Sequence, residues 1–306
     1  MISGNQLVKT IRDNCPDLHV SQLEPLGEGD FCHAYTDGSW VFRFAKHAEA
    51  EESLKREACL LPRIHSEFEL QIPEPQYYPD TKVAGFGFVR YPKLSGEVLT
   101  RSRFLDLPYQ GRDRCAAQLA QFISQLHACE SRLAHDCGVP TCDYQAKYTQ
   151  VLRRAECILF PLIDAPEQHY VETTITKFLN GIESSVAPIL LHGDLCPYHV
   201  LYDPVNMVVT GVIDFGDMIV GDAAWDLTYL YEDYGVEFLR HFLKYYSVNE
   251  QREEVARAYR FHELDAIDWT VNAAETEQGS EVQEGILHLK RLRLQAKAPP
   301  WIELFE

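Results

Sequence analysis

The sequence predicts an α+β fold of two lobes, a small β-rich N-terminal lobe and a larger, mostly helical C-terminal lobe. Three observations favour this fold class. Alternating apolar residues flank turns near the beginning of the chain, which is typical of strands. Apolar residues then repeat at helical spacing over most of the remainder. Within that helical region, two short apolar runs each end in an aspartate, Asp194 and Asp214.

The N-terminal lobe is predicted over residues 1–92, beginning with a helix over residues 3–14. The stretch "LEPLGEGDFCHAYTDGSWVFRFAK" then predicts hairpin-linked strands around a Gly-x-Gly and an Asp37–Gly38 turn. A helix over residues 48–65 follows. The segment "IPEPQYYPD" indicates an extended loop, and "VAGFGFVRYP" indicates one more strand.

The C-terminal lobe is predicted over residues 93–306. Helices predominate to about residue 183, and the segment 189–217 interrupts them with two short strands and their loops. Helical spacing returns at Trp225, with a polar break at "ETEQGSEVQEG".

Composition and charge narrow the class of protein. Hydrophobic residues make up 46% of the chain and charged residues 24%, as in ordinary folded proteins. The apolar runs are too short for a membrane span, and "MISGNQLVKT" lacks the features of a signal peptide. A net charge of −18 opposes binding to nucleic acid or anionic membranes. We therefore expect a cytoplasmic, monomeric enzyme or binding protein.

The nine cysteines are odd in number and irregularly spaced, without a CxxC pair. This pattern argues against a disulfide framework, and reduced, partly buried thiols are expected. His135, Cys137 and Cys142 form a loose cluster, for which a zinc site is the weaker alternative.

The two strand-end aspartates suit phosphoryl transfer, which needs a base, magnesium and covered phosphates. Asp194 in "HGD" is the candidate base, and a helix-capping role is the alternative. His199 follows it by five positions, and Asp214 follows a strand. Protein kinases place metal ligands at both points, so His199 and Asp214 are the candidate metal ligands. Asp222 and Asp226 are expected to have structural roles, such as capping the following helix, rather than to contact the substrate.

The segments "LLHGDLCPYHVLYD", "GVIDFGD" and "GDAAWDLTYL" resemble the aminoglycoside phosphotransferase family, which has a two-lobed protein-kinase-like fold. The resemblance runs from about Leu26 to beyond Trp269 and is most specific between His192 and Asp226. Most of the family has Asn where this chain has His199. The aminoglycoside 2''-phosphotransferases are similar to it in this His and in "YEDYG". The resemblance implies magnesium-dependent transfer of phosphate from ATP or GTP to an aminoglycoside, and antibiotic resistance.

The role of His199 stays open, because Mg²⁺ prefers oxygen ligands. The imidazole could bind the metal directly, act through a water, orient Asp194 or be a buried structural histidine.

Nucleotide contacts are expected in the N-terminal lobe. "GEGDF" resembles a phosphate-covering loop and supplies Gly27, Gly29 and Asp30, although Cys32 replaces a third glycine. The chain has no Walker A pattern, which disfavours a P-loop enzyme.

A basic residue on the third strand is expected to contact phosphate and to pair with a helix glutamate. Arg43 is preferred over Lys46 as this residue, with Glu57 as its partner. Arg90 and Tyr91 are the candidates for backbone contacts to the purine, since Pro92 has no N–H to donate.

A polycationic acceptor needs carboxylates and benefits from an aromatic ring. From Asp214 to Glu237 there are seven carboxylates and no Lys or Arg. The segment "FHELDAIDW" adds acids, among them Asp265, and a tryptophan; a solvated acidic surface is the alternative. The candidate substrate contacts are Glu232, Asp233, Glu263, Asp268 and Trp269.

Two other functions compete with an aminoglycoside kinase. A kinase of the same fold could act on a macrolide, choline, a sugar or homoserine, for which a more apolar pocket is expected. A nucleotide-binding regulator with a degraded site would fit His199 and Arg43, but the retained Asp194 and Asp214 argue against it.

Overall fold

The computed structural model describes residues 4–29, 31–79, 85–181, 187–246, 251–276, 279–296 and 299–305. Within them, a β-sheet lobe precedes a larger helical lobe, so the predicted α+β, two-lobed fold is confirmed. The predicted division between residues 92 and 93 stays a proposal.

One antiparallel sheet of five strands forms the N-terminal lobe. Its strands are β1 (Glu24–Glu28), β2 (Cys32–Thr36), β3 (Trp40–Ala45), β4 (Gln76–Tyr78) and β5 (Phe88–Pro92). Their order across the sheet is β1-β2-β3-β5-β4. The segment predicted as a loop, "IPEPQYYPD", contains β4, because β5 offers it an open edge to pair with.

Two helices cover the two faces of this sheet, α1 (Gly4–Asn14) and α2 (Ala48–Ile64). Phe42 and Phe44 of β3 join the core beneath α1. Since side chains alternate along a strand, Arg43 lies on the opposite face, towards α2. Arg43 is nonetheless buried, which requires charged partners close by.

The C-terminal lobe packs its helices around one large apolar core. The helices are α3 (Arg101–Asp106), α4 (Tyr109–Ala128), α5 (Ser131–Asp136), α6 (Tyr144–Arg154), α7 (Ala165–Asn180), α8 (Ala224–Tyr229), α9 (Val236–Phe242), α10 (Gln251–Glu275) and α11 (Gly279–Gln295). Among the described residues, no helix has both the length and the apolar character that crossing a membrane requires.

Short strands within the helical lobe position the two aspartates. They are β6 (Glu97–Val98), β7 (Ile189–Leu191), β8 (Val200–Asp203), β9 (Val208–Val212) and β10 (Ile219–Gly221). They form two small sheets, β6-β8-β9 and β10-β7. Asp194 follows β7 and Asp214 follows β9, so hydrogen-bonded strands lead into both loops.

A disulfide joins the two lobes. Cys59 of α2 bonds to Cys137, just after α5, with Cα atoms 5.5 Å apart. The expectation of reduced thiols is wrong for this pair. An odd number of cysteines does not exclude one disulfide, and partners 78 positions apart form no recognisable spacing in the sequence. Cys142 remains a free thiol. Because Cys137 is bonded to Cys59, it is not available as a zinc ligand beside His135 and Cys142. A β-bridge between Gln71 and Gly211 forms a second connection between the lobes.

Candidate active site

The loop that carries Asp194 has a backbone shape that only glycine permits. Gly193 has a φ of +87°, and a Cβ atom there would lie 2.1 Å from the carbonyl oxygen of Asp217. The close approach brings the Asp194 loop against the segment that follows Asp214. The Nε1–H of Trp225 donates to the carbonyl of Gly193 at 2.9 Å and holds the turn from the other side.

Asp226 anchors this loop from within the core. Its fully buried carboxylate accepts hydrogen bonds from the backbone N–H of His192 at 3.1 Å and of Gly193 at 3.0 Å. Nε2 of His127 lies 3.0 Å from the same carboxylate. Burial opposes ionisation of Asp226, but the contacts with His127 outweigh it and lower the pKa below its ordinary value. This supports the structural role expected for Asp226.

His192 connects the two aspartate loops. Its ring lies 3.1 Å from the carbonyl of Ile213 through Nε2, and Nδ1 accepts the N–H of Asp194 at 3.3 Å. Complete burial lowers the pKa of His192, so the neutral ring serves as donor on one side and acceptor on the other. Asp194 is thereby held at a fixed distance from Asp214.

Asp214 has a backbone conformation that side chains rarely adopt, with φ of 62°. Its Oδ1 accepts from the Arg43 guanidinium at 2.9 Å, while Oδ2 lies 3.5 Å from Nε2 of His199. Burial would raise the pKa of Asp214, but the charges of Arg43 and His199 hold it below its ordinary value. The carboxylate is therefore ionised at neutral pH.

His199 lies between the two aspartates. Its Nδ1 donates to the carbonyl oxygen of Asp194 at 2.7 Å and lies 3.7 Å from the Asp194 carboxylate. Burial opposes protonation, but the contact with Cys196 and the charge of Asp214 raise the pKa of His199 to about 9. The imidazole lies between the two candidate site carboxylates, which favours a role at the site over that of a structural histidine.

Arg43 and Glu57 form the ion pair that the sequence predicts. Nη1 of Arg43 lies 3.0 and 2.7 Å from the two oxygens of Glu57, while Nη2 contacts Asp214. Burial alone would lower the pKa of Arg43, but the two carboxylates hold it well above its ordinary value. Ser53 of α2 also donates to the carbonyl of Gly216 at 2.7 Å. The helix therefore positions both the guanidinium and the loop after Asp214.

The Gly-x-Gly lies where β1 ends. For both Gly27 and Gly29, no described atom lies within 4 Å of the place a Cβ would occupy. Packing within the protein therefore does not require glycine at these positions, and their contact with a nucleotide stays a prediction. Asp30, predicted beside them, lies outside the described residues.

The predicted backbone contacts from Arg90 and Tyr91 require correction. Arg90 pairs with Gln76 of β4 and Tyr91 with Val41 of β3, so neighbouring strands take their backbone groups. On the side that faces β3, the N–H of Lys93 donates a hydrogen bond to the carbonyl of Ser39. Because backbone groups alternate in direction along a strand, the Pro92 carbonyl points to the β4 side of β5, past the point where β4 begins at Gln76.

The side chains of the same two residues also differ in direction. Arg90 stacks on Trp40 at 4.9 Å and pairs with Asp17 at 2.9 Å, on the α1 face of the sheet. Tyr91 is buried in the cluster on the α2 face. The register of the sheet does not follow from the amino-acid sequence, and it shows that the backbone groups of Arg90 and Tyr91 are already paired.

A cavity of about 360 Å³ opens beside Asp194. Carboxylates dominate its described lining, without a lysine or arginine among those residues, and Tyr229 and the 39% exposed Trp269 add aromatic surface. The lining carboxylates are Asp194, Glu232, Asp233, Asp265 and Glu284. Of the predicted substrate contacts, Glu232, Asp233 and Trp269 lie here.

The other two predicted acids face elsewhere, which corrects the prediction. Glu263 accepts a hydrogen bond from the Tyr170 hydroxyl at 2.7 Å and lines a different cavity. Asp268 lies 3.6 Å from Lys147 and 3.5 Å from Arg154. Both carboxylates are therefore engaged by neighbours rather than presented to the cavity beside Asp194.

Sequence reasoning undervalued Asp265 and missed Glu284 and His288. Asp265 precedes Trp269 by four positions, so helical spacing places both on one face of α10, and this signal was available. Glu284 and His288 belong to α11, and no motif connects that helix with the catalytic segment.

The Asp194 carboxylate faces an acid-lined cavity that suits a cationic ligand, and Arg43 of β3 is ion-paired with Glu57. This arrangement is that of a phosphotransferase with a kinase-like fold. Residues 31–269 match the model of the phosphotransferase enzyme family, APH. The chain belongs to this family, and the predicted resemblance is confirmed.

Several solved structures are similar to this chain over nearly its whole length. The GDP and kanamycin complex of APH(2'')-IIIa is 30% identical, with a TM-score of 0.84, covering 93% of this chain and 97% of that chain. The GDP complex of wild-type aminoglycoside 2'-phosphotransferase-IIIa is 28% identical, with a TM-score of 0.86 and coverages of 96% and 99%. Macrolide 2'-phosphotransferase MphH from Brachybacterium faecium shares the fold alone, at 17% identity, a TM-score of 0.67 and coverages of 97% and 98%.

Proposed function

We propose that this phosphotransferase moves the γ-phosphoryl group of ATP or GTP to a hydroxyl of an aminoglycoside, at the 2'' position. The similar structure in complex with GDP and kanamycin supports both the donor and the acceptor class. A phosphate on the drug reduces its positive charge, which would weaken its binding to ribosomal RNA and confer resistance.

The acid-lined cavity beside Asp194 carries the acceptor part of this proposal. Aminoglycosides bear several ammonium groups, and five carboxylates line the space next to the candidate base. Trp269 offers an exposed ring for a cation–π contact with an ammonium group. A macrolide, with far more apolar surface, is better matched by apolar walls.

The residues around Asp214 fit Mg²⁺. Asp214 offers a hard carboxylate oxygen on a side chain that is 44% exposed. His199 donates Nδ1–H to a backbone carbonyl, which leaves Nε2 directed towards Asp214, as in most metal-binding histidines. Asp214 would hold the ion, and His199, whose pKa is raised to about 9, would complete the site only by giving up its Nε2 proton as the ion binds. When bound, Mg²⁺ neutralises charge on the transferred phosphate.

Asp194 acts on the acceptor. Its carboxylate orients the hydroxyl and accepts its proton while the new oxygen–phosphorus bond forms and the bond to the leaving diphosphate breaks. Asp226 and His192 hold the loop, so the carboxylate needs little rearrangement before reaction.

Groups of the N-terminal lobe act on the donor. The Arg43 guanidinium, held by Glu57, contributes positive charge towards the phosphates, and the open space beside Gly27 and Gly29 lets the donor approach the backbone closely. The Pro92 carbonyl is the candidate acceptor for a purine amino group.

Mass spectrometry tests this proposal. Purified protein is incubated with Mg²⁺, ATP or GTP, and a panel of kanamycin, gentamicin, erythromycin and choline, with Asp194→Asn protein as the control. One added phosphate on an aminoglycoside is expected, with fragmentation placing it on the 2''-hydroxyl. Phosphate on erythromycin or choline alone would contradict the acceptor class, and no product with either nucleotide would contradict the function.

Acceptor binding is expected to weaken on acidification. Burial and the charge of Glu232 raise the pKa values of Asp233 and Asp265 to about 6. Both carboxylates are charged at pH 7.5 and largely neutral at pH 5, so affinity falls by up to about tenfold for each group. Calorimetry with kanamycin in the absence of nucleotide measures the effect.

The drug only gains charge on acidification, so the loss of affinity must originate in the protein. Asp233→Asn, which removes one of the titrating groups, is expected to bind more weakly at pH 7.5 and to show a shallower pH dependence. An affinity for kanamycin that is constant from pH 7.5 to 5 would exclude this account.

A further inference from the structure

His288 in the wall of the acceptor cavity and its neighbour His262 each have a buried ring nitrogen that makes no hydrogen bond to a described residue. Nδ1 of His262 and Nε2 of His288 are shielded from solvent and make no hydrogen bond to any described residue. His262 is only 6% exposed. Buried polar atoms are nearly always satisfied, so each of these nitrogens calls for a partner such as a water, a ligand or an ion.

The two rings face each other because their helices pack unusually closely. A Cβ atom on Gly285 of α11 would lie 2.5 Å from the Thr270 hydroxyl oxygen of α10. Glycine permits this approach, and one turn further along α11 the ring of His288 meets that of His262 edge to face, with centroids 5.5 Å apart. Rigid helices therefore hold both imidazoles in place.

Glu232 supplies a carboxylate to the same place. Its Oε2 lies 3.3 Å from Nδ1 of His262, without hydrogen-bond geometry. Two ligands of a tetrahedral zinc ion are also separated by about 3.3 Å, given bonds of about 2 Å. One nitrogen from each histidine and one oxygen of Glu232 all lie within 4.8 Å of one another.

We propose that Glu232, His262 and His288 form a binding site for a divalent transition-metal ion of the zinc class, separate from the magnesium site at Asp214. Two imidazoles and one carboxylate suit zinc, whereas Mg²⁺ prefers oxygen ligands alone. Glu232 and His288 line the cavity, so an ion has a path of entry and its fourth coordination position faces the acceptor space. The acids Asp233, Asp265 and Glu284 around the cavity favour a dication further.

Calorimetric titration of metal-free protein with Zn²⁺ tests this site, with excess Mg²⁺ present to occupy oxygen-rich sites. We expect one zinc ion per chain, and a loss of affinity of at least about tenfold in both His288→Gln and Glu232→Gln. The matched control is His19→Gln, at an exposed histidine of the other lobe, which should bind as the wild type does.

A second cluster, Asp194, Cys196 and His199, could also attract zinc, and Cys196→Ser distinguishes it. Zinc binding that is lost in Cys196→Ser and unchanged in His288→Gln would overturn the proposal, as would no binding by the wild type. Thermal melting without metal shows whether each variant folds. If His288→Gln does not fold, Glu232→Gln still tests the site, because the Glu232 side chain is 37% exposed and its replacement should leave folding intact.

Discussion

Asp194→Asn is expected to lower kcat for phosphoryl transfer by about 100- to 10,000-fold, the usual contribution of a general base. Asparagine keeps the shape of the side chain but cannot accept the proton of the acceptor hydroxyl. The loop itself should not change, because its anchors are Asp226 and His192 rather than the Asp194 carboxylate. Steady-state kinetics with kanamycin and Mg²⁺-nucleotide, together with thermal melting, measure both effects.

Asp106→Asn is a matched control for this variant. It makes the same chemical change at an exposed position at the end of α3, and activity should stay at the wild-type level. A fully active Asp194→Asn would exclude Asp194 as the base. A large drop in melting temperature would instead assign it a structural role.

Asp214→Asn is expected to abolish the gain in nucleotide affinity that Mg²⁺ provides and to lower kcat by at least about 100-fold. Metal ions contribute several kcal/mol to stabilising the transition state of such reactions, which corresponds to this loss or more. Asparagine tolerates a positive φ better than other residues with side chains, so the backbone at φ of 62° is preserved. Displacement of a fluorescent nucleotide, with and without Mg²⁺, measures the affinity.

The same variant also separates two roles of Asp214. The carboxylate accepts from Arg43 as well as facing His199, but Arg43 keeps its contacts with Glu57 when Asp214 is replaced. Folding should therefore survive the substitution. If the variant binds nucleotide with the wild-type dependence on Mg²⁺, Asp214 is a structural partner of Arg43 and not a metal ligand.

The parts of the site that depend on local spacing could be predicted from the sequence. Asp194, His199 and Asp214 lie near one another because short strands and tight loops connect them, so their order along the chain translates directly into geometry. The position of Arg43 on a predicted strand and of Glu57 on a predicted helix likewise led to their pairing, which the structure contains.

The parts that depend on packing between distant elements could not be predicted in this way. Whether an acid of α10 faces the acceptor depends on which neighbours surround the helix, and Lys147 and Arg154 come from a helix remote in sequence. Sheet register decides that the backbone of Arg90 is already engaged. The partner of Cys59 is likewise determined by how the lobes pack, not by spacing.

The disulfide between Cys59 and Cys137 limits how the molecule can open. Together with the bridge between Gln71 and Gly211, it fixes two points shared by the lobes. The backbone also crosses between the lobes after Pro92, so these connections together restrain rigid-body movement of one lobe against the other. We therefore expect nucleotide entry to depend on local movement of the segment around Gly27 and Gly29 more than on rotation of the lobes.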